Sequence, residues 1–416
     1  MVRAMSAVGP ARSVSGGRSV PGGRSVSGGT WAAIAVVLVA LNLRPVIVAV
    51  SPLLDTISAD LELTSFMAGL LVTLPVLCFG VLGPLAPALA ARFGFERSLA
   101  GVLVAVIVGS ALRLIPTAPA LFGGTLLVGA GIAIGNILLP GLIKRDFSHR
   151  LGLMSGLYSM SLAAGATLAA GVTIPIADAA GWEWNQALAA WGLFAVFGIG
   201  CWLPTLWHAR GAAGHPPTLG IRLSRDRVAW FVTIFLGLQS FNFYSTTAWL
   251  PTILVGYGYD AVFGGLMLSL VNLVSIVPAM VIPLFLVRMR SQAAFTVVIS
   301  GFYFAAIGGL LAFPGVAMLW VVVLGIAQGA GLALALTFIV LRSPDAAHAT
   351  KLSGMAQSWG YFLAAFGPLA LGALRDLSSG WILPLLLLLV ILVPQSIYAW
   401  LAGRPGMVGA LGPQHD

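Results

Sequence analysis

Residues Trp31 to Val50 read WAAIAVVLVALNLRPVIVAV, a run apolar enough to cross a bilayer except for Arg44 inside LNLRPV, Leu41 to Val46. An arginine at the centre of a membrane helix costs about 2.5–3.5 kcal/mol on insertion scales. Long side chains near a helix end escape by snorkelling, but Arg44 stands well inside the run. No acid lies within ten positions of it. Its partner must therefore come from another helix or from a ligand.

The rest of the chain repeats this pattern. Its 416 residues are 59% hydrophobic and 8% charged, whereas a soluble domain carries about 25% charged residues. Apolar runs of membrane length recur from end to end. Cys78 and Cys201 both lie in apolar segments and form no disulfide or metal pattern. No cluster of Cys, His and carboxylate side chains is evident, so no cofactor and no metal is expected.

Residues 12–29 repeat RSVSGG, RSVPGG and RSVSGG. That composition cannot bury enough surface to order itself, and residues 1–29 are read as a disordered cytoplasmic tail. Twelve spans follow, near 31–54, 66–91, 98–116, 120–143, 151–177, 187–207, 228–254, 261–287, 292–313, 316–341, 352–374 and 381–402. They divide into a first six-helix bundle at 30–207, a central cytoplasmic loop at 208–227, a second bundle at 228–403 and a tail at 404–416. With the N-terminus inside, 18 of the 21 basic residues fall on one side, which the positive-inside rule makes cytoplasmic. The net charge of +9 is thus a topology signal and calls for no nucleic-acid partner.

The halves resemble each other. Gly129 to Gly131 and Gly329 to Gly331 both read GAG, Ser155-Gly156 recurs as Ser353-Gly354, and Pro87/Arg92 recurs as Pro283/Arg288. The offsets are 200, 198 and 196 positions. Duplicated six-helix units around a midplane site describe the major facilitator architecture. The fold class expected is an all-α integral membrane protein of twelve helices in two pseudo-symmetric bundles, multi-pass in a bacterial inner membrane, monomeric and bounded by lipid.

Candidate site residues are the polar side chains within spans. Arg44 is read as facing a ligand in preference to fastening helix one to a neighbouring carbonyl, because unpaired intramembrane charge usually lines a pathway. An offset of 198 sets it against Asn242, in the stretch GLQSFNFYSTTAWLP. Gln239 and Asn242 lie three apart on one face, with Tyr244 beside them. Gln357 and Tyr361 lie four apart and face together. Asn42 and Tyr158 complete the primary set, and Asn136, Asn272, Gln328 and Trp359 are secondary candidates. For each amide or hydroxyl the alternative is a hydrogen bond across a helix interface. Arg113 is placed at an outer helix end, as an interfacial or gate residue.

No Asp, Glu or His occupies the middle of a span, so no dedicated proton relay is expected. One positive charge among amides, hydroxyls and rings suits a small anionic or polar planar solute, and a cation would call for a carboxylate. A channel would show pore-lining repeats, and an enzyme would need a nucleophile, base or metal cluster. A receptor or structural protein stays open, and a secondary transporter, active or facilitative, is the class these features favour.

Several segments carry a family resemblance. LNLRPVIVAVSPLLDTI and LTSFMAGLLVTLPVLCFGVLGPLAPALAARFGFERSL resemble the cyanate permease and 2-nitroimidazole exporter group of the major facilitator superfamily. GNILLPGLIKRDFSHRLGLMSGLYSM, GLQSFNFYSTTAWLPTIL and SGMAQSWGYFLAAFGPLALG are similar to its later segments. The resemblance spans about Thr30 to Gly403. It implies transport of a small, cyanate-like anion or, alternatively, export of small nitrogen heterocycles resembling 2-nitroimidazole.

Overall fold

The computed structural model describes residues 26–63, 65–208, 222–378 and 380–409. Most of the expected 1–29 tail, most of the 208–227 loop and the end of the 404–416 tail lie outside the described residues. In hydrocarbon every backbone N–H and C=O must be satisfied within the chain, and helices do this locally. Span one is broken into α1 (Val26–Asn42), α2 (Pro45–Val48) and α3 (Val50–Asp60). Span two comprises α4 (Ser65–Leu82) and α5 (Leu85–Phe93), bent by 64°. Next come α6 (Phe95–Leu112), α7 (Ala118–Asp146), α8 (Leu151–Ala180) and α9 (Trp184–His208). The second half comprises α10 (Arg227–Gly256), α11 (Ala261–Leu286), α12 (Ala293–Ala312), α13 (Ala317–Leu341), α14 (Ala346–Ser378) and α15 (Ile382–Gly403).

Among the described residues, ten helical segments are each long and apolar enough to span, and the bent pair α4–α5 makes an eleventh. The 33-residue α14, which begins with the polar turns AAHATKLSG, completes twelve. Local signals set several ends. Asp226 and Asp260 cap α10 and α11 by accepting from Ala229 N and Phe263 N, satisfying donors that a helix start leaves free. Gly181, with φ of 64°, ends α8 in the left-handed conformation that glycine adopts without strain.

The two halves repeat at the level of side chains. At the end carrying the basic loops, Arg145 from the end of α7 pairs with Glu96 at the start of α6, 2.5 Å. In the second half Arg342, just past α13, donates to Gln292 at the start of α12. Trp202 of α9 donates to the Glu96 carbonyl, and the Ala402 carbonyl of α15 accepts from Arg342. Arg342 thus ties together three helix ends of its half, whereas in the first half Arg145 and Trp202 share that work by meeting at Glu96.

The contacts that join the halves run from the level of Arg44 toward this basic end. A Cβ on Gly156 of α8 would lie 2.5 Å from the Met280 carbonyl oxygen of α11, and one on Gly152 would lie 2.9 Å from that of Pro283. Only glycine lets the two backbones approach so closely. Ser358 of α14 donates to the Phe79 carbonyl of α4, 3.1 Å. A cavity of about 390 Å³ at the basic end is lined by Phe95, Lys144 and Arg145 from one half and Asp345 from the other.

Candidate functional site

Pro45 has no N–H to give and crowds the residue before it, so the helix of span one is interrupted at Leu43 and Arg44. Leu43 N bonds back only three residues, to Ala40 O, and Arg44 takes φ −117° as the cap of α2. The helix pauses again at Ala49. The interruption puts Arg44 midway along its span, half-buried, with its guanidinium within hydrogen-bonding reach of the phenol oxygens of Tyr244 and Tyr361. Tyr158 is the next polar group around it. Tyr244 and Tyr361 belong to the second half, so the charge bridges the halves. Among the described residues no carboxylate forms an ion pair with it.

A polar junction lies beside this centre. Tyr158 Oη donates to Asn136 Oδ1, 3.0 Å. Gln357 Nε2 donates to the Asn136 carbonyl across the halves, 3.0 Å, and to Ser353 Oγ, 2.8 Å. Gln357 Oε1 is buried with no protein partner, leaving an acceptor free. Aromatic rings form a continuous wall: Phe79 to Tyr361 at 4.5 Å between centroids, Tyr361 to Tyr244 at 6.1 Å, and Tyr244 to Phe243 at 5.3 Å. Such tilted and edge-on contacts fix ring orientation.

Six of the sequence candidates therefore come together: Arg44, Tyr158, Tyr244, Gln357, Tyr361 and Asn136. The other six do not. Asn42 lies two residues from Arg44 on the opposite side of the helix, donating to Leu38 O and lying against Gly198 of α9. Asn242 donates to Gln395 of α15, 2.7 Å. Gln239 turns to Tyr303 of α12, and Gln328 donates to Thr246. Asn272 bonds only to its own helix, at Leu268 O. Trp359 is 58% exposed on the outer surface, with its ring near Trp230 and Phe362. The amides bond within their own helix or to a neighbouring one, and the Trp359 ring faces outward.

The pairing of Arg44 with Asn242 also gives way. Asn42 and Asn242 make the same bond to the carbonyl four residues back, 2.8 and 3.3 Å, and each faces the sixth helix of its half. The register between spans one and seven is therefore 200, which sets Arg44 against Tyr244. Phe79 was not foreseen, because an apolar side chain in an apolar span carries no sequence signal. Arg113, expected at an interface, is fully buried.

Three comparisons bear on this arrangement. The sequence profile of the Major Facilitator Superfamily matches residues 32–368. The chain is 40% identical over 376 residues to the transporter YycB of Bacillus subtilis, covering 90% of this chain and 94% of that one. It is 38% identical over 372 residues to the 2-nitroimidazole transporter of Escherichia coli, with 89% and 94% covered. Identity to the cyanate transport protein of Escherichia coli is 29% over 352 residues, with 84% and 91% covered. Among solved structures, a proton:xylose symporter superposes with a TM-score of 0.72 at 13% identity, over 90% of this chain and 95% of that one.

Proposed function

The chain belongs to the major facilitator superfamily, and we propose that it moves a small planar solute with a negative or electron-rich edge by alternating access, Arg44 meeting that edge. One observation carries this reading: a half-buried guanidinium at a helix break whose nearest polar neighbours are neutral phenols. A charge held by neutral acceptors exchanges them readily for a charged one, because an anion adds direct Coulomb attraction and can take the guanidinium donors in pairs. The solute displaces the hydroxyls of Tyr244 and Tyr361. Gln357 Oε1 offers it an acceptor, and the Phe79–Tyr361–Tyr244 rings offer it flat faces.

The guanidinium alone suits a small anion such as cyanate. The rings add a reason to favour a nitrogen heterocycle of the 2-nitroimidazole kind, since a linear triatomic ion gains little from stacking. Both solutes are named in the relatives. The basic end faces the cytoplasm, as the excess of arginine and lysine there supports. The inter-half contacts at that end support reading this as the form closed toward the cytoplasm.

A thermal-shift screen of the detergent-purified protein tests the reading, because a ligand that binds only the folded state raises its apparent stability. Cyanate, 2-nitroimidazole and a choline control are compared at equal concentration. A rise with either of the first two and none with choline is expected. A rise with choline alone overturns the proposal.

A further inference from the structure

Arg113 caps the C-terminus of α6, and its side chain is fully buried. The stem enters where α6 and α7 meet through glycines. A Cβ on Gly109 would lie 2.7 Å from the Gly124 carbonyl oxygen, and one on Gly124 would lie 2.9 Å from Arg113 Cγ. Nη1 then donates to the Val46 carbonyl, 2.8 Å, inside the short segment that follows Arg44. Nε and Nη2 have no protein partner, and among the described residues no carboxylate forms an ion pair with Arg113.

A buried charge with one backbone bond is an expensive way to join two helices, since an apolar side chain of similar size often does as well or better. What arginine adds is the bond to Val46. That carbonyl lies one turn before Val50, where the helix restarts after its pause at Ala49. The segment around it is stiff. Pro45 fixes its own φ, Ile47 N and Val48 N bond to Arg44 O, and Ala49 N bonds to Pro45 O. Pulling on Val46 O therefore rotates Arg44 with it.

We propose that Arg113 is a positioning residue for Arg44. It holds the interrupted segment of span one so that the guanidinium points at the interface between the halves. This inference rests on the reading of Arg44 as the solute contact.

The test needs no knowledge of the solute. In a background carrying Cys78→Ala and Cys201→Ala, a single thiol is introduced by Arg44→Cys or, as a control from the other half, by Tyr361→Cys. Its rate of modification by a small anionic methanethiosulfonate is measured with Arg113 intact and with Arg113→Met, Arg113→Gln and Arg113→Lys. With Met or Gln, the rate at position 44 is expected to change about tenfold, a coupling within the range found for residues in contact. The rate at position 361 should stay within about threefold, and Arg113→Lys, whose ammonium donors reach farther toward Val46 O than the shorter Gln amide does, should leave both near their original values. A thiol at 44 that never reacts with Arg113 intact sinks the reading of Arg44 itself. A reactive thiol at 44 whose rate ignores Met and Gln overturns the positioning role and leaves that reading standing. Parallel changes at 44 and 361, or failure of both Met and Gln variants to fold while the Lys variant does, show a general structural role and also overturn it.

Discussion

Arg44 and Tyr244 stand two hundred positions apart, occupy matching places in spans one and seven, and meet across the interface between the halves. Both halves carry the same asparagine two residues earlier, and each faces the sixth helix of its own half: Asn242 donates to Gln395, while Asn42 packs against Gly198. The two copies differ where they face each other. One carries the charge and the other carries a ring with a neutral oxygen.

Arginine at 44 should not be replaceable by lysine. The guanidinium presents parallel donors in a plane, whereas an ammonium is a compact point charge. Arg44→Lys is expected to lose roughly tenfold or more in affinity for 2-nitroimidazole or cyanate, whichever the screen identifies. Arg44→Ala should lose measurable binding while remaining monodisperse. Near-wild-type affinity in purified Arg44→Ala would mean that the arginine only holds its helix.

Asn242 should behave differently. It was a candidate for solute contact by its polarity, but its amide is spent on Gln395. Asn242→Ala and Gln395→Ala should each lower stability by roughly 1 kcal/mol, the scale of hydrogen bonds between membrane helices. The double variant should cost little more than either single one. Solute affinity should be retained in all three. A loss of affinity in Asn242→Ala at unchanged stability would return Asn242 to the binding site.

The contrast between these residues shows what sequence can and cannot supply. The all-helical fold was legible because hydrocarbon permits few solutions, and the mid-span charge of Arg44 was conspicuous against apolar neighbours. Amides were not separable, because Gln357 at the interface and Gln239 against Tyr303 look alike in one dimension. What divides them is which face of the helix meets the other half, and a two-residue error in repeat register was enough to pair Arg44 with the wrong partner. Phe79 enters the site through its ring and its carbonyl, neither of which is distinctive in a sequence rich in phenylalanine.

The basic end should respond to acid through Asp345. Partial burial by itself raises its pKa, but the backbone and ring N–H groups of His348 outweigh that and hold it below the usual carboxylate range. A carboxylate depressed in the folded state contributes stability at neutral pH and loses it as pH falls through the depressed value. The attraction between Asp345 and Lys144, which belong to opposite halves, should therefore persist through mildly acidic pH. Asp345→Asn should remove it at all pH values and raise the reactivity of a thiol introduced at Ala347 on the wall of the cavity there. Unchanged reactivity in Asp345→Asn would show that the glycine contacts of α8 with α11 close this end unaided.

Transport should not consume protons for a solute that does not itself titrate. The groups gathered at the centre are a guanidinium, three phenols and two amides. Among the described side chains, the acids nearest the spans sit at helix ends: Asp60 at the close of α3, Glu96 at the start of α6 paired with Arg145, and Asp178 near the close of α8. A proton relay would need a carboxylate or histidine that changes exposure as the halves rock, and the centre has none among these groups. Proteoliposomes loaded with a pH-sensitive dye make the test direct. Influx of a non-titrating analogue of the bound solute should leave internal pH unchanged, and exchange against internal solute should be at least as fast as net uptake. Internal acidification in fixed ratio to influx of that analogue would place a coupling residue on the path and require a different account of how Arg44 is neutralised when the site is empty.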